Sequence, residues 1–101
     1  MKIVFLASAE LDLRWYRHYY EDVFPEGRKR ANARYLSARR VLTANPYLGT
    51  PQEDGKSRKF TIAGTPFHFV YRVGKDRIEI LRVKDGRSNP SDTDDASEGS
   101  L

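Results

Sequence analysis

The stretch "RIEILRVKDGR", residues 77–87, begins as an apolar strand and ends with Arg82, Lys84 and Arg87. A guanidinium group binds a carboxylate or a phosphate at two points, and a lysine ammonium adds a compact charge. A strand ending in three cations is therefore equipped to hold an anionic partner. Upstream, "FHFVYRV" alternates so that Phe67, Phe69, Tyr71 and Val73 share one face while His68, Val70 and Arg72 share the other. Arg72 and a single imidazole thus leave the aromatic face and join the cations, with Lys56, Arg58 and Lys59 close by in sequence. Metal chemistry is not expected: cysteine is absent, and the two histidines, His18 and His68, have no supporting carboxylate motif. No cofactor motif is present.

The charge distribution sharpens this reading. The chain has 101 residues and a formal net charge of +4. Its last fourteen residues, "SNPSDTDDASEGSL", hold four acids, no base and one Leu, a composition unable to bury itself. Residues 90–101 are expected to be a disordered acidic tail, and residues 1–89 a single domain. Residues 1–87 carry all eighteen bases and ten acids, a charge of +8, which implies a polyanionic or acidic partner. The opening "MKIVFLASA" is too short an apolar run for a signal peptide, and no segment approaches the ~20 apolar residues that cross a bilayer. A cytoplasmic location without membrane contact is expected.

The elements that must position these groups follow from periodicity. "KIVFL", residues 2–6, reads as a strand. Helical spacing begins at Ser8, a candidate N-cap, with Leu11, Trp15, Tyr19 and Val23 in one row and Tyr16, Tyr20 and Phe24 in a second. Trp15 is expected in the core. Pro25 suits the first turn of a second helix that runs to about Ala44, with Ala31, Tyr35, Ala38 and Leu42 along one stripe. Its other sides carry Arg30, Arg34 and Arg39 among further cations, which read equally as a solvated face or as a contact for an acidic partner. The short break between the helices predicts an antiparallel hairpin. "NPYLGTPQEDGKS", residues 45–57, is a structured loop, and "RKFTI", "TPFHFVYRV" and "RIEILRV" form an antiparallel meander. In the last strand, alternation places Ile78 and Ile80 on one face and Glu79, Leu81 and Val83 on the other. The order is βααβββ, an α+β domain with a helical hairpin on one side of a small, largely antiparallel sheet.

Together, the opening strand and helix with "LDLRWYRHYYEDVF", the loop "NPYLGTP", the strand "FHFVYRV" and the closing "IEILRVKDGR" resemble the RelE/ParE superfamily of bacterial toxins from type II toxin-antitoxin operons. The closing strand with its short Gly-Arg segment is similar to the ParE-like branch. The resemblance implies a toxin neutralised by a cognate antitoxin in a hetero-oligomer. ParE-like members bind DNA gyrase and stall it; RelE-like members cut messenger RNA on the ribosome. For the ParE-like branch, Arg72, Arg82, Lys84 and Arg87 are the expected target-binding residues, and Arg30, Arg34 and Arg39 the expected antitoxin contacts. RNA cleavage needs a base for the ribose 2′-hydroxyl and cations for the phosphate. His68 would then be the acid or base, with Lys59, Arg72 and Arg82 holding the phosphate. In this chain Thr61 replaces a second sheet lysine of the RelE-like set, His68 stands where an arginine is expected, and no Tyr or His follows Tyr71. These departures favour the gyrase inhibitor over the endonuclease; a relic that only binds its antitoxin is the third reading.

Overall fold

The structure, a computed structural model, describes residues 1–87. The acidic tail read from the sequence lies outside them. The chain runs through β1 (Lys2–Phe5), α1 (Ala7–His18), a π-helical turn (Tyr19–Val23), a 3-10 turn (Pro25–Gly27), α2 (Arg28–Ala44), β2 (Thr50–Pro51), β3 (Arg58–Thr61), β4 (Phe67–Val73) and β5 (Arg77–Asp85). The strands form one sheet in the order β1-β5-β4-β3-β2. β1 joins β5 in parallel, and the remaining pairs are antiparallel. Sequence periodicity located four of these strands. It missed β2, two residues within the loop, because so short a strand carries no alternation of its own.

Both helices lie on the aromatic face. Tyr16 and Tyr20 of α1 and its π turn meet Phe67 edge-on or tilted, and Tyr35 of α2 meets Phe69, at ring-centroid distances of 5.0, 6.0 and 5.8 Å. Phe67, Phe69, Tyr71, Ile78 and Ile80 are fully buried, and Ala31, Ala38 and Leu42 supply the α2 side as their spacing predicts.

Helix α1 is rotated from the expected orientation. Its buried line is Ala9, Tyr16 and Tyr20, whereas Leu11, Trp15 and Val23 are exposed, Trp15 by 43%. Two polar residues account for the rotation. Ser8 does not cap the helix; its hydroxyl donates to the Leu81 carbonyl at 2.6 Å, and the Asp12 carboxylate accepts from the Val83 N–H at 2.8 Å. With positions 8 and 12 committed to β5, positions 9, 16 and 20 face the sheet and 11 and 15 face outward. The π turn, closed by the Phe24 N–H on the Tyr19 carbonyl at 2.7 Å, then brings Tyr19 into the core beside Tyr20.

The last strand also departs from simple alternation. Tyr71 pairs with Ile80 and Val70 with Arg82, so Leu81 is an extra residue, a β-bulge. The bulge resets the phase and turns Val83 into the core, where it is 2% exposed, instead of leaving it opposite Ile80.

Candidate functional site

Strand pairing fixes what the helix-free face of the sheet carries. Residues directly opposite in antiparallel strands share a face. Thr61, His68 and Lys84 therefore form one row, and Lys59, Val70 and Arg82 lie in the next, with Thr50 beyond Lys59. Of the cations singled out in the sequence, Lys59 and Lys84 come together around His68.

His68 is partly buried between them. Burial, and then the positive charges of Lys59 and Lys84, push its pKa down to about 4, with Asp85 opposing weakly. The imidazole is neutral at pH 7.

The remaining site arginines are held by carboxylates. Arg72 and Arg77 both grip Glu79, whose side chain is 10% exposed. Their hydrogen bonds keep the Glu79 carboxyl below its ordinary range. Arg82, re-aimed by the bulge, makes a two-point contact with Asp12, Nε to Oδ2 at 2.7 Å and Nη2 to Oδ1 at 3.1 Å. Arg87 donates to Asp85 through Nε at 3.2 Å and Nη2 at 3.1 Å, and to the Tyr19 hydroxyl through Nη1 at 2.9 Å. Its guanidinium also lies 4.6 Å from the centre of the Tyr19 ring. Burial raises the Asp85 carboxyl, but hydrogen bonds from Arg87 and Trp15 outweigh this and hold it below the usual range. The end of β5 is thus braced against the helices, with Arg82 and Arg87 as the braces.

The expected platform of three outward cations is therefore not what forms. Two of its guanidiniums are turned to α1 and to the π turn, because Asp12, Asp85 and Tyr19 lie within reach. Sequence reading missed these partners and Glu79. A usable signal was present in Glu79, a carboxylate between two isoleucines in a strand, since such a position demands a cation.

On the helical side, Arg30 and Arg34 are exposed. Arg39 packs its guanidinium over Phe5 and Tyr35, 5.3 and 5.9 Å from the ring centres. A groove of about 490 Å³ opens between α1 and α2, lined by Leu13, Tyr16, Arg17, Tyr20, Arg28 and Tyr35 among others. Arg17 and Arg28 are cations of this groove that the sequence reading did not select. Burial and the neighbouring phenols Tyr20 and Tyr35 push the Tyr16 hydroxyl up to about 12, so this phenol stays protonated in a wall whose charges come from Arg17, Arg28 and Glu21.

At the sheet's other end, the loop between α2 and β2 is fixed by a core residue. The Tyr71 hydroxyl accepts from the Gly49 N–H and donates to the Pro46 carbonyl, both at 2.8 Å. A Cβ at Gly49 would stand 2.6 Å from that hydroxyl and 2.9 Å from the Lys59 carbonyl, so only glycine fits. Arg58 Nη1 donates to the Tyr47 and Gly49 carbonyls at 2.9 and 2.8 Å.

Among the described residues there is no cluster of His, Asp or Glu able to hold a metal ion, and no helix is long and apolar enough to cross a membrane. No protein-family model and no curated protein matches the sequence. A chain of the solved structure "Chromosomal ParDE TA system from P. aeruginosa" is 30% identical, with a TM-score of 0.66, over 84% of this chain and 95% of that one. A likeness of this extent and identity, together with the architecture above, shows that the chain belongs to the ParE/RelE-like toxin family of toxin-antitoxin systems.

Proposed function

We propose that the chain is a ParE-like toxin that inhibits DNA gyrase and is neutralised by a cognate antitoxin. The carrying observation is the likeness to the ParDE system, which extends over nearly the whole of that chain. The site chemistry supports the same reading. Arg72, Arg82 and Arg87 are committed to carboxylates within the fold, which suits a shaped basic surface better than a set of cations waiting for a phosphate. In this reading the end of β5, with Lys84 and its arginine braces, contacts the target. Arg30 and Arg34, with the groove between the helices, receive the antitoxin, whose acidic and apolar side chains would match that lining.

One observation favours a second reading, the ribosome-dependent mRNA endonuclease. His68 is neutral at pH 7 and stands between two lysines, as a base beside phosphate-holding cations would. A base with a pKa near 4 is nevertheless poorly matched to taking a proton at neutral pH.

Purified full-length protein should be assayed for inhibition of gyrase supercoiling and for cleavage of ribosome-bound message. A gyrase inhibitor should lose activity in Arg82→Ala/Arg87→Ala, with the fold checked by thermal unfolding, and keep it in His68→Ala. An endonuclease should lose about 100-fold or more in cleavage rate in His68→Ala. Protein active in neither assay would leave only antitoxin binding.

A further inference from the structure

The braced loop between α2 and β2 presents outward the residues that its bracing does not use. Tyr47 is 65% exposed and Leu48 53%, although the backbone beneath them is fixed by four hydrogen bonds shared with the side chains of Tyr71 and Arg58. Arg58 also lies against one face of the Tyr47 ring, 5.2 Å from its centre, which fixes the phenol in place. Ordering an exposed aromatic before it meets a partner removes much of the entropic cost of using it in an interface. Beside this projection runs an open groove of about 570 Å³, lined by Leu48, Gly49, Thr50, Lys59, Phe60 and Thr61 among others.

We propose that Tyr47, Leu48 and the adjoining groove with Lys59 form a docking surface for the toxin's protein target, receiving an acidic segment that seats an apolar side chain beside Leu48 and Phe60 and a carboxylate on Lys59. The inference rests on the reading of the chain as a gyrase inhibitor and extends the target surface beyond the end of β5.

Three observations select this occupant. Among the described residues that line the groove, Lys59 is the only charged one, so this lining favours an anion. The positive field extends onto the sheet, where Lys59 and Lys84 act together on His68. The groove is also continuous with the proposed target face: Lys59 on β3, His68 on β4 and Lys84 on β5 lie on successive strands of one face. Adjacent strands are about 4.8 Å apart and Lys59 is offset by two residues from the row of His68 and Lys84, so a single extended segment about 12 Å long reaches from Lys59 to Lys84. An adjacent tyrosine and leucine, with one tyrosine face already covered by Arg58, match a protein contact better than a ladder of stacked bases, which needs successive open aromatic platforms.

The test uses the full chain, with purified gyrase, purified cognate antitoxin and a single-stranded RNA 12-mer as separate probes. Tyr47→Ala/Leu48→Ala should weaken gyrase binding by about tenfold or more. The midpoint of thermal unfolding and the antitoxin affinity should stay unchanged. Lys59→Glu should weaken gyrase binding and flatten its dependence on salt. Wild-type protein that binds gyrase as tightly as the double variant does would overturn this inference alone. Loss of antitoxin or RNA binding in place of gyrase binding would assign the surface to another partner and overturn it as well. Wild-type protein with no affinity for gyrase would remove the gyrase reading and this inference with it.

Discussion

The depressed pKa of His68 has a consequence for stability that needs no partner to measure. Burial beside Lys59 and Lys84 holds the folded-state value near 4, against about 6.5 for an unperturbed histidine. The unfolded chain therefore binds a proton that the folded chain rejects. Stability is complete above pH 6.5 and is lost as pH falls from 6.5 towards 4. With these two values, the loss relative to pH 7 is about 1 kcal/mol at pH 5.5 and about 2 kcal/mol at pH 4.5. Urea unfolding at pH 7.0, 5.5 and 4.5, on wild type and on His68→Gln, isolates the contribution, because glutamine does not titrate. Wild type should lose about 2 kcal/mol more than the variant across that range. The carboxyls of Asp54, Glu79 and Asp85 are held below their ordinary values, so the stability they give is lost mainly at still lower pH. A ring titration by NMR with a midpoint near 6.5, or equal losses in wild type and variant, would refute the reasoning.

Three further outcomes follow from the packing. Tyr71→Phe keeps the buried ring but strips the Gly49 N–H and the Pro46 carbonyl of their partner; it should cost about 1 to 3 kcal/mol and speed amide exchange in residues 45–49, read by denaturation and hydrogen exchange. Trp15→Ala should cost only about 1 kcal/mol, since the ring is 43% exposed; a cost of about 3 to 5 kcal/mol would return it to the core. Charge reversal of Arg30 and Arg34, leaving the packed Arg39 intact, should weaken antitoxin binding at low salt with the fold unchanged; an unchanged titration would make these arginines a solvated surface.

The fold was largely legible because its strongest signals are local. The aromatic alternation of residues 67–73 and the stripe of Ala31, Ala38 and Leu42 lead directly to the core face. The errors arose where a distant contact overrode periodicity. Trp15 sits in a well-formed apolar row, yet the bonds of Ser8 and Asp12 to β5 turn that row outward. Val83 reads as facing away from Ile80, and nothing in "ILRV" announces the bulge at Leu81. At the site, sequence could gather the cations and not their partners. Arg82 and Asp12 are 70 residues apart, and Arg87 and Tyr19 68, so both pairings exist only once the sheet and helices have docked.

The hydrogen bonds of Ser8 and Asp12 to β5 bear on how the chain avoids associating with itself. β1 pairs with β5 only as far as Phe5 opposite Ile80, and the rest of that β5 edge would offer bare backbone groups to any extended chain nearby. Helix α1 takes the place of the missing strand, its two side chains occupying the Leu81 carbonyl and the Val83 N–H. At the opposite margin of the sheet, β2 ends in Pro51, which has no N–H to offer. Two unrelated devices thus blunt two stretches, the β5 edge beyond β1 and the short β2, against pairing with another copy of this sheet.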